Sequence, residues 1–319
     1  MPSEFDLIAR YFTRPTPHTL LGVGDDAALI SPSPGMNLVV STDMLAAGTH
    51  FFPDADPEAL GWKCLAVNVS DLAAMAARPR WAVLAVALPQ ADEHWIAAFA
   101  RGFFACASTF GIDVIGGDTT RGPLNFCVTI FGEVPPNQAL LRSGARPGDE
   151  IWVSGLPGRA ALGLAHLQGR CVLAEPALAD SLEALHRPQP RVALGLALRE
   201  LATAAIDVSD GLLADLGHIL ERSGVAATLH LQRLPRREPS GCSDPGLVMD
   251  CQLAGGDDYE LVFTVPENKH AAVASLSAGL DLTLTCIGKI DAGNSPVVTV
   301  LDGEGNPSIP SRHGFDHFA

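Results

Sequence analysis

Basic residues are scarce in this chain: 21 Lys and Arg stand against 36 Asp and Glu over 319 residues, a formal net charge of −15. Nucleic acid and anionic membranes need basic patches, so neither is expected as the main partner. An anionic small molecule is repelled as well, unless bound cations reverse the local field. None of the seven cysteines (Cys64, Cys106, Cys127, Cys171, Cys242, Cys251, Cys286) forms a C-x-x-C pair, and most lie in apolar runs. Reduced core thiols of a cytoplasmic protein are expected, in place of disulfides or zinc. The N-terminal segment is acidic and lacks a signal-peptide apolar core, and no uncharged apolar run reaches spanning length, so a soluble protein is expected. Also missing are the Gly-x4-Gly-Lys-Ser/Thr loop and the protein-kinase signature set. A nucleotide enzyme built this way must hold phosphates through cations, glycine-loop amides and a few basic residues.

Hydrophobic residues make up 47% of the chain, enough for real cores, and its length suggests two domains. The turn-rich stretch from Pro135 to Asp149 carries the expected boundary, with domains over 1–137 and 138–319. In the first half, patterning predicts an amphipathic helix over 4–13 and a strand over 37–42 delivering Asp43 at its end. Helices follow over 56–77 and from an Asp92 cap to Gly111, with strands over 81–88, 112–115 and 125–134. In the second half, strands are expected over 150–154, 205–208, 259–265, 283–287 and 296–301. Helices are expected after Gly158, over about 190–204 and over 212–222. Interleaved strands and helices give a mixed α/β or α+β class.

Acidic phrases dominate the remaining pattern. Asn68-Val69-Ser70-Asp71 and then Gly116-Gly117-Asp118 are echoed, at the same separation, by Asp207-Val208-Ser209-Asp210 and Gly255-Gly256-Asp257. The echo admits two readings, a duplicated unit or coincidence, and the intervening segments do not match well. Asp25 and Asp26 follow a Gly-x-Gly turn, and Ser41-Thr42-Asp43 ends an apolar run. Aspartates beside glycine and hydroxyl residues suggest hard-cation sites of the Mg²⁺ type, and Mg²⁺ in turn suggests a phosphate-rich substrate. Each has a plainer reading: Asp26 as a helix cap, Asp43 as a turn residue, Ser209 and Asp210 as an N-cap. Asp71 resists one. An unpaired charge among Leu65, Val67, Val69 and Leu72 would cost several kcal/mol, so it calls for a cation or an arginine. The helix start expected after Asp210 could also hold phosphate at its N-terminus. Gly22-x-Gly24-x-x-Ala27 imitates a dinucleotide fingerprint, but its carboxylates would repel a pyrophosphate. Arg142 is the best basic candidate for a phosphate, with a solvated linker charge as its plain reading. His50, near Asp43, could touch a substrate phosphate, although a lone His is more often structural.

Taken jointly, these phrases resemble those of the thiamine-monophosphate kinases. The resemblance runs through Gly22–Ala27, Ser41-Thr42-Asp43, Gly48-Thr49-His50, Lys63 to Met75, Gly116 to Pro123, Arg142-Ser143-Gly144-Ala145, Ile206 to Leu212, Ala214 to His218, Gly255 to Leu261 and Gly314 to Phe318. It implies ATP-dependent transfer of the γ-phosphoryl group onto thiamine monophosphate, giving thiamine diphosphate. It further implies a two-domain aminoimidazole ribonucleotide synthetase-like α/β (α+β) fold, with an N-terminal mixed sheet with helices and a C-terminal α/β domain. A homodimer joined through N-terminal domains is also implied. By position, Asp26, Ser41, Thr42, Asp43, Asp71, Asp118, Asp207 and Asp210 match Mg²⁺ positions, with Asp43, Asp71, Asp118 and Asp210 central to catalysis. Gly117, Asp118, Arg142 and Ser209 match ATP contacts. His50, Asp257 and Phe315 match substrate contacts.

Two positions depart from that pattern. Asp257 replaces a Glu, one methylene shorter, and Phe315 stands where Tyr or Trp is usual, keeping a stacking face without a ring-borne hydrogen bond. Other readings are an aminoimidazole ribonucleotide synthetase-like enzyme, a selenophosphate synthetase (which needs an N-terminal Cys, whereas the first here is Cys64), and a hydrogenase-maturation dehydratase (which needs a C-terminal Cys, whereas this chain ends Phe318-Ala319). A non-catalytic divalent-cation binder and, remotely, a nicotinamide oxidoreductase complete the set.

Overall fold

The computed structural model describes residues 3–235, 241–293, 295–309 and 314–315. The chain divides into two compact units, Met1–Leu72 with Ala77–Asn137, and Ala73–Ala76 with Gln138–Ala319.

The first unit contains α1 (Glu4–Leu7) followed by a π turn over Ile8–Phe12, then β1 (Asn37–Ala46), α2 (Pro57–Ala74), β2 (Arg78–Leu88), α3 (Glu93–Phe110), β3 (Asp113–Arg121) and β4 (Asn125–Val134). Its four strands lie in the order β1-β4-β2-β3, with β2 and β3 parallel and the other pairs antiparallel. One sheet face is covered by helices. Phe126 of β4 stacks on Phe99 of α3 at 4.6 Å between centroids and on Trp95 at 6.2 Å. The other face carries Leu38, Val40 and Met44 of β1, all exposed. The two helices cross closely enough that a Cβ on Gly102 would lie 1.7 Å from the Glu58 carbonyl oxygen. Asp92 caps α3 by accepting from the His94 and Trp95 amides, and left-handed Gly111 ends it.

The second unit contains β5 (Glu150–Ser154), α4 (Arg159–Leu167), α5 (Ala177–His186), α6 (Val192–Ala197), β6 (Ala204–Asp207), α7 (Leu212–Ser223), β7 (Ala226–His230), α8 (Pro245–Ala254), β8 (Leu261–Val265), α9 (His270–Leu280), β9 (Leu284–Asp291), β10 (Val298–Leu301) and β11 (Pro307–Ser308). These strands form one seven-stranded mixed sheet ordered β11-β10-β7-β9-β5-β8-β6, in which only β10 and β7 run parallel. Period-two alternation sends Ile151, Val153, Ile206 and Val262 into a core beneath α7. Trp152, Ala205, Leu261 and Phe263 enter a second core containing Leu194, Leu198 and Val273.

Several expectations need correction. The strand expected to stop at Thr42 runs to Ala46, and Gly116-Gly117-Asp118 lies inside β3 instead of following it. Both strands continue because the ladder needs only backbone partners: β1 pairs with β4 as far as Ala46↔Asn125, and β3 with β2 as far as Leu88↔Arg121. The helix expected over 190–204 is only Val192–Ala197. The echoed phrases do not occupy equivalent elements. Asn68–Asp71 lies within helix α2, whereas Asp207 ends β6 and Ser209-Asp210 form the turn into α7.

Candidate active site

In the first unit, Ser41 and Asp43 lie on the helix-covered side of β1, and Thr42 alternates to the open side. The Ser41 hydroxyl donates to the Asp71 carboxylate across the gap from β1 to α2. Three residues earlier on α2, Asn68 accepts the Asp43 backbone N–H at 3.1 Å. Ser41, Asp43 and Asp71 are thus brought together, and Asp71 is half-buried, which softens the desolvation argument made from its apolar neighbours. Thr42 instead meets Thr129, 2.9 Å between hydroxyl oxygens. Gly117 and Asp118 sit on the edge strand β3, three strand positions from β1. At ~4.8 Å per strand that is roughly 14 Å from Asp43. Gly117 is required by close approach, since a Cβ there would lie 1.8 Å from the Leu84 carbonyl oxygen. Asp25 and Asp26 occupy an exposed turn beside a Val23–Asp25 bridge, and no helix follows for them to cap. His50 Nδ1 accepts the Ala46 N–H at 3.0 Å, which puts the ring proton on Nε2.

The second unit joins three segments that are distant in sequence. Asp207 ends β6 and is buried, and Ser209 and Asp210 follow half-buried. The Asp257 N–H donates to the Ser209 carbonyl at 2.8 Å, and the Tyr259 N–H to that of Val208 at 2.9 Å. The Phe315 N–H donates to the Asp210 carbonyl at 3.0 Å, and the residue is 54% exposed. Asp257 and Tyr259 both have positive φ, 69° and 51°, and the Tyr259 hydroxyl donates to Asp257 Oδ1 at 3.1 Å. Asp316–Phe318 of the terminal motif fall outside the described residues. Arg142 is exposed, and its carbonyl accepts from Ser223 Oγ at 3.2 Å, at the far end of α7 from Ser209. The helix between them spans about 18 Å at ~1.5 Å per residue.

Buried carboxylates without an assigned role support these loops. Asp215, in the first turn of α7, accepts through Oδ2 from the amides of Ser209 at 3.0 Å and of Asp210 and Gly211 at 3.1 Å each. Burial pushes its pKa up to about 7, against the pull of those amides. The amides expected to hold phosphate at this helix start are therefore already occupied. Asp258 accepts from the Gly158 and Ala160 amides at the start of α4, and burial raises it to about 8. Glu260 accepts from Arg191 Nε at 2.6 Å and Nη2 at 2.5 Å, and from Ser154 Oγ at 2.6 Å. Burial acts to lower the Arg191 pKa, but the bonds and charge of Glu260 outweigh it and hold the guanidinium above its ordinary value. Asp215 had a sequence signal, an Asp reaching back from the first helical turn to orphan amides. Arg191 had none.

Among the described residues no three His, Cys, Asp or Glu side chains form a metal cage. The donors present are carboxylates and hydroxyls: Asp43 and Asp71 on facing elements joined by the Ser41–Asp71 and Asp43–Asn68 bonds, and Asp207 and Asp210 three positions apart on the turn into α7. Such pairs fit Mg²⁺, which is held through one or two carboxylates and completes its octahedron with water and phosphate oxygens.

Residues 24–134 match the N-terminal domain, and residues 146–301 the C-terminal domain, of the AIR synthase related proteins, which defines the class. Within it the chain is 47% identical over 321 residues to thiamine-monophosphate kinase of Salmonella typhimurium, covering 99% of this chain and 98% of that one. The chain belongs to the thiamine-monophosphate kinase family. The crystal structure of thiamine-monophosphate kinase from Stenotrophomonas maltophilia K279a superposes with a TM-score of 0.84 at 48% identity, covering 95% of each chain. AaThiL complexed with AMPPCP and TMP gives 0.76 at 29% identity, over 93% of this chain and 92% of that one. The hydrogenase maturation protein HypE in complex with ATP, at 20% identity and a TM-score of 0.79, shares the fold alone.

Proposed function

We propose that this protein transfers the γ-phosphoryl group of ATP to thiamine monophosphate, forming thiamine diphosphate and ADP. The observation that carries the reading is the union of Asp207–Asp210, Asp257 and Phe315 in one patch of the second unit. Asp207 and Asp210 as hard-oxygen ligands, with Asp257 as a polar group and the exposed Phe315 as an aromatic one, would suit a phosphorylated thiazolium–pyrimidine substrate. The identity to thiamine-monophosphate kinases and the AaThiL complex with an ATP analogue and TMP support the same chemistry here.

The acceptor is a phosphate monoester with a second pKa of ~6, largely ionised at neutral pH. It needs no general base, and the problem left is to bring two polyanions together. Bound Mg²⁺ would supply charge neutralisation and alignment of the transferring group. Several ions would be held, by Asp43 and Asp71 in the first unit and by Asp207 and Asp210 in the second, with Ser41, Asp26 and Asp118 contributing from their strands and turn and Thr42, whose hydroxyl faces the open side, through its backbone carbonyl. Gly117, Asp118, Arg142 and Ser209 are assigned to ATP, and His50, Asp257 and Phe315 to thiamine monophosphate. The domains are read as 1–137, binding ATP and Mg²⁺ and dimerising, and 138–319, completing the site. The open face of the first sheet, with Leu38, Val40 and Met44 exposed, is assigned to the homodimer contact. Among the described residues no helix is long and apolar enough to cross a membrane, and the seven thiols are free, in keeping with a cytoplasmic enzyme.

The test is chromatographic. With MgATP, thiamine monophosphate should give thiamine diphosphate and ADP in equal amounts, and thiamine should give no phosphorylated product. Product from thiamine, or ATP consumed without thiamine diphosphate, would redirect the assignment.

A further inference from the structure

The three peptides that link Val208 to Gly211 are each hydrogen-bonded on both the N–H and the C=O side, the Val208 carbonyl by the Tyr259 N–H. On the N–H side, Ser209, Asp210 and Gly211 donate to a single oxygen, Asp215 Oδ2, at 3.0, 3.1 and 3.1 Å. On the C=O side, Ser209 accepts from Asp257 at 2.8 Å and Asp210 from Phe315 at 3.0 Å. The Asp215 side chain is itself 2% exposed, so water does not compete for the amides. The carboxylate therefore fixes the turn directly, and through the turn's carbonyls it fixes the two segments that bear Asp257 and Phe315. We propose that Asp215 is a positioning residue for phosphoryl transfer, setting together the Mg²⁺ ligands Asp207 and Asp210, the ATP contact Ser209 and the thiamine-monophosphate contacts Asp257 and Phe315. This rests on the function proposed above.

The chemistry favours one oxygen in this role. A carboxylate accepts several convergent amides in charge-assisted bonds, and its removal takes the partner from three N–H groups, that of Gly211 buried and those of Ser209 and Asp210 half-buried. Asparagine keeps an acceptor oxygen but loses the charge, so it should hold the turn partially. Alanine should release it.

Asp215→Asn and Asp215→Ala are compared with Asp210→Asn, with folding checked by circular dichroism. Binding of MgADP and of thiamine monophosphate is measured by calorimetry without turnover, alongside kcat and the half-saturating Mg²⁺ concentration. The expected result is a loss in Asp215→Asn of about tenfold in kcat, with both ligands bound at least fivefold more weakly. Losses in Asp215→Ala should be larger. A folded Asp215→Asn that binds both ligands and turns over within twofold of wild type overturns the proposal, because a purely structural role would lower thermal stability and leave these values intact. If Asp210→Asn also keeps normal turnover and Mg²⁺ dependence, the functional reading of the turn fails and takes the proposal with it. A changed Asp210→Asn beside an unchanged Asp215→Asn sinks the positioning role alone. Should the Asp215 variants not fold, hydrogen exchange of the wild-type amides decides. Ser209, Asp210 and Gly211 should exchange at least 100-fold more slowly than unstructured chain before any ligand is added, and exchange at the unstructured rate contradicts the proposal.

Discussion

Near-identical letters do different work in the two halves of this molecule. Asn68-Val69-Ser70-Asp71 lies inside a helix, where Asn68 and Asp71 share one side and reach β1 through Asp43 and Ser41. Asp207-Val208-Ser209-Asp210 lies at a strand end, and its peptides are held by Asp215, Asp257 and Phe315. Gly116-Gly117-Asp118 belongs to an edge strand, whereas Gly255-Gly256-Asp257 is a loop between α8 and β8. The first unit presents Asp43, Asp71 and Asp118 from regular elements that need little further support. The second presents them from irregular backbone, and irregular backbone needs buried partners to hold it. Asp215, Asp258, Glu260 and Arg191 are those partners.

The comparison can be broken at several points. The largest effects should come from the paired ligands: Asp71→Asn and Asp210→Asn should each lower turnover by several orders of magnitude with the fold intact. Near-normal rates in either variant, measured with saturating ATP and thiamine monophosphate, would remove that half from the chemistry. Next, Arg191→Met removes the bidentate partner of buried Glu260, leaving Ser154 Oγ and Arg159 at 3.7 Å, and should destabilise the protein by up to about 3–5 kcal/mol, read from denaturant unfolding. In the first unit Gly102→Ala forces a methyl against the Glu58 carbonyl, and overpacking of this kind costs about 1–3 kcal/mol by the same measurement. A pH dependence is also expected. Asp258, raised from 3.8 to about 8 by burial, keeps in the folded state a proton that the unfolded chain has released. Its contribution to stability therefore falls as pH rises across that interval. The thermal midpoint of Asp258→Asn should gain on wild type between pH 5 and pH 8, by roughly 10 °C at about 1.4 kcal/mol per pH unit and ~2–4 °C per kcal/mol. A constant difference would place the Asp258 titration elsewhere.

Much of the regular structure was legible in the sequence. The bounds of β4 and β5, and α3 with its Asp92 and Gly111 ends, follow from alternation and capping chemistry. Helix α8 was not expected because its apolar residues are spread around it, with no single stripe to read. Asp43 and Asp118 were expected at strand ends, since polar residues usually mark them, yet sheet pairing carries both strands onward. The acidic residues themselves were visible. The contacts joining 209 to 257 and 210 to 315 were not, because they run between backbone groups that every residue shares.

The account rests on these carboxylate pairs holding Mg²⁺ for a phosphorylated acceptor. The most direct measurement is the Mg²⁺ dependence of thiamine diphosphate formation in wild type and in Asp210→Asn at fixed, saturating ATP. The account predicts that the variant needs at least tenfold more Mg²⁺ for half its own maximal rate. Superimposable Mg²⁺ curves for the two proteins, at equal rates, would contradict it.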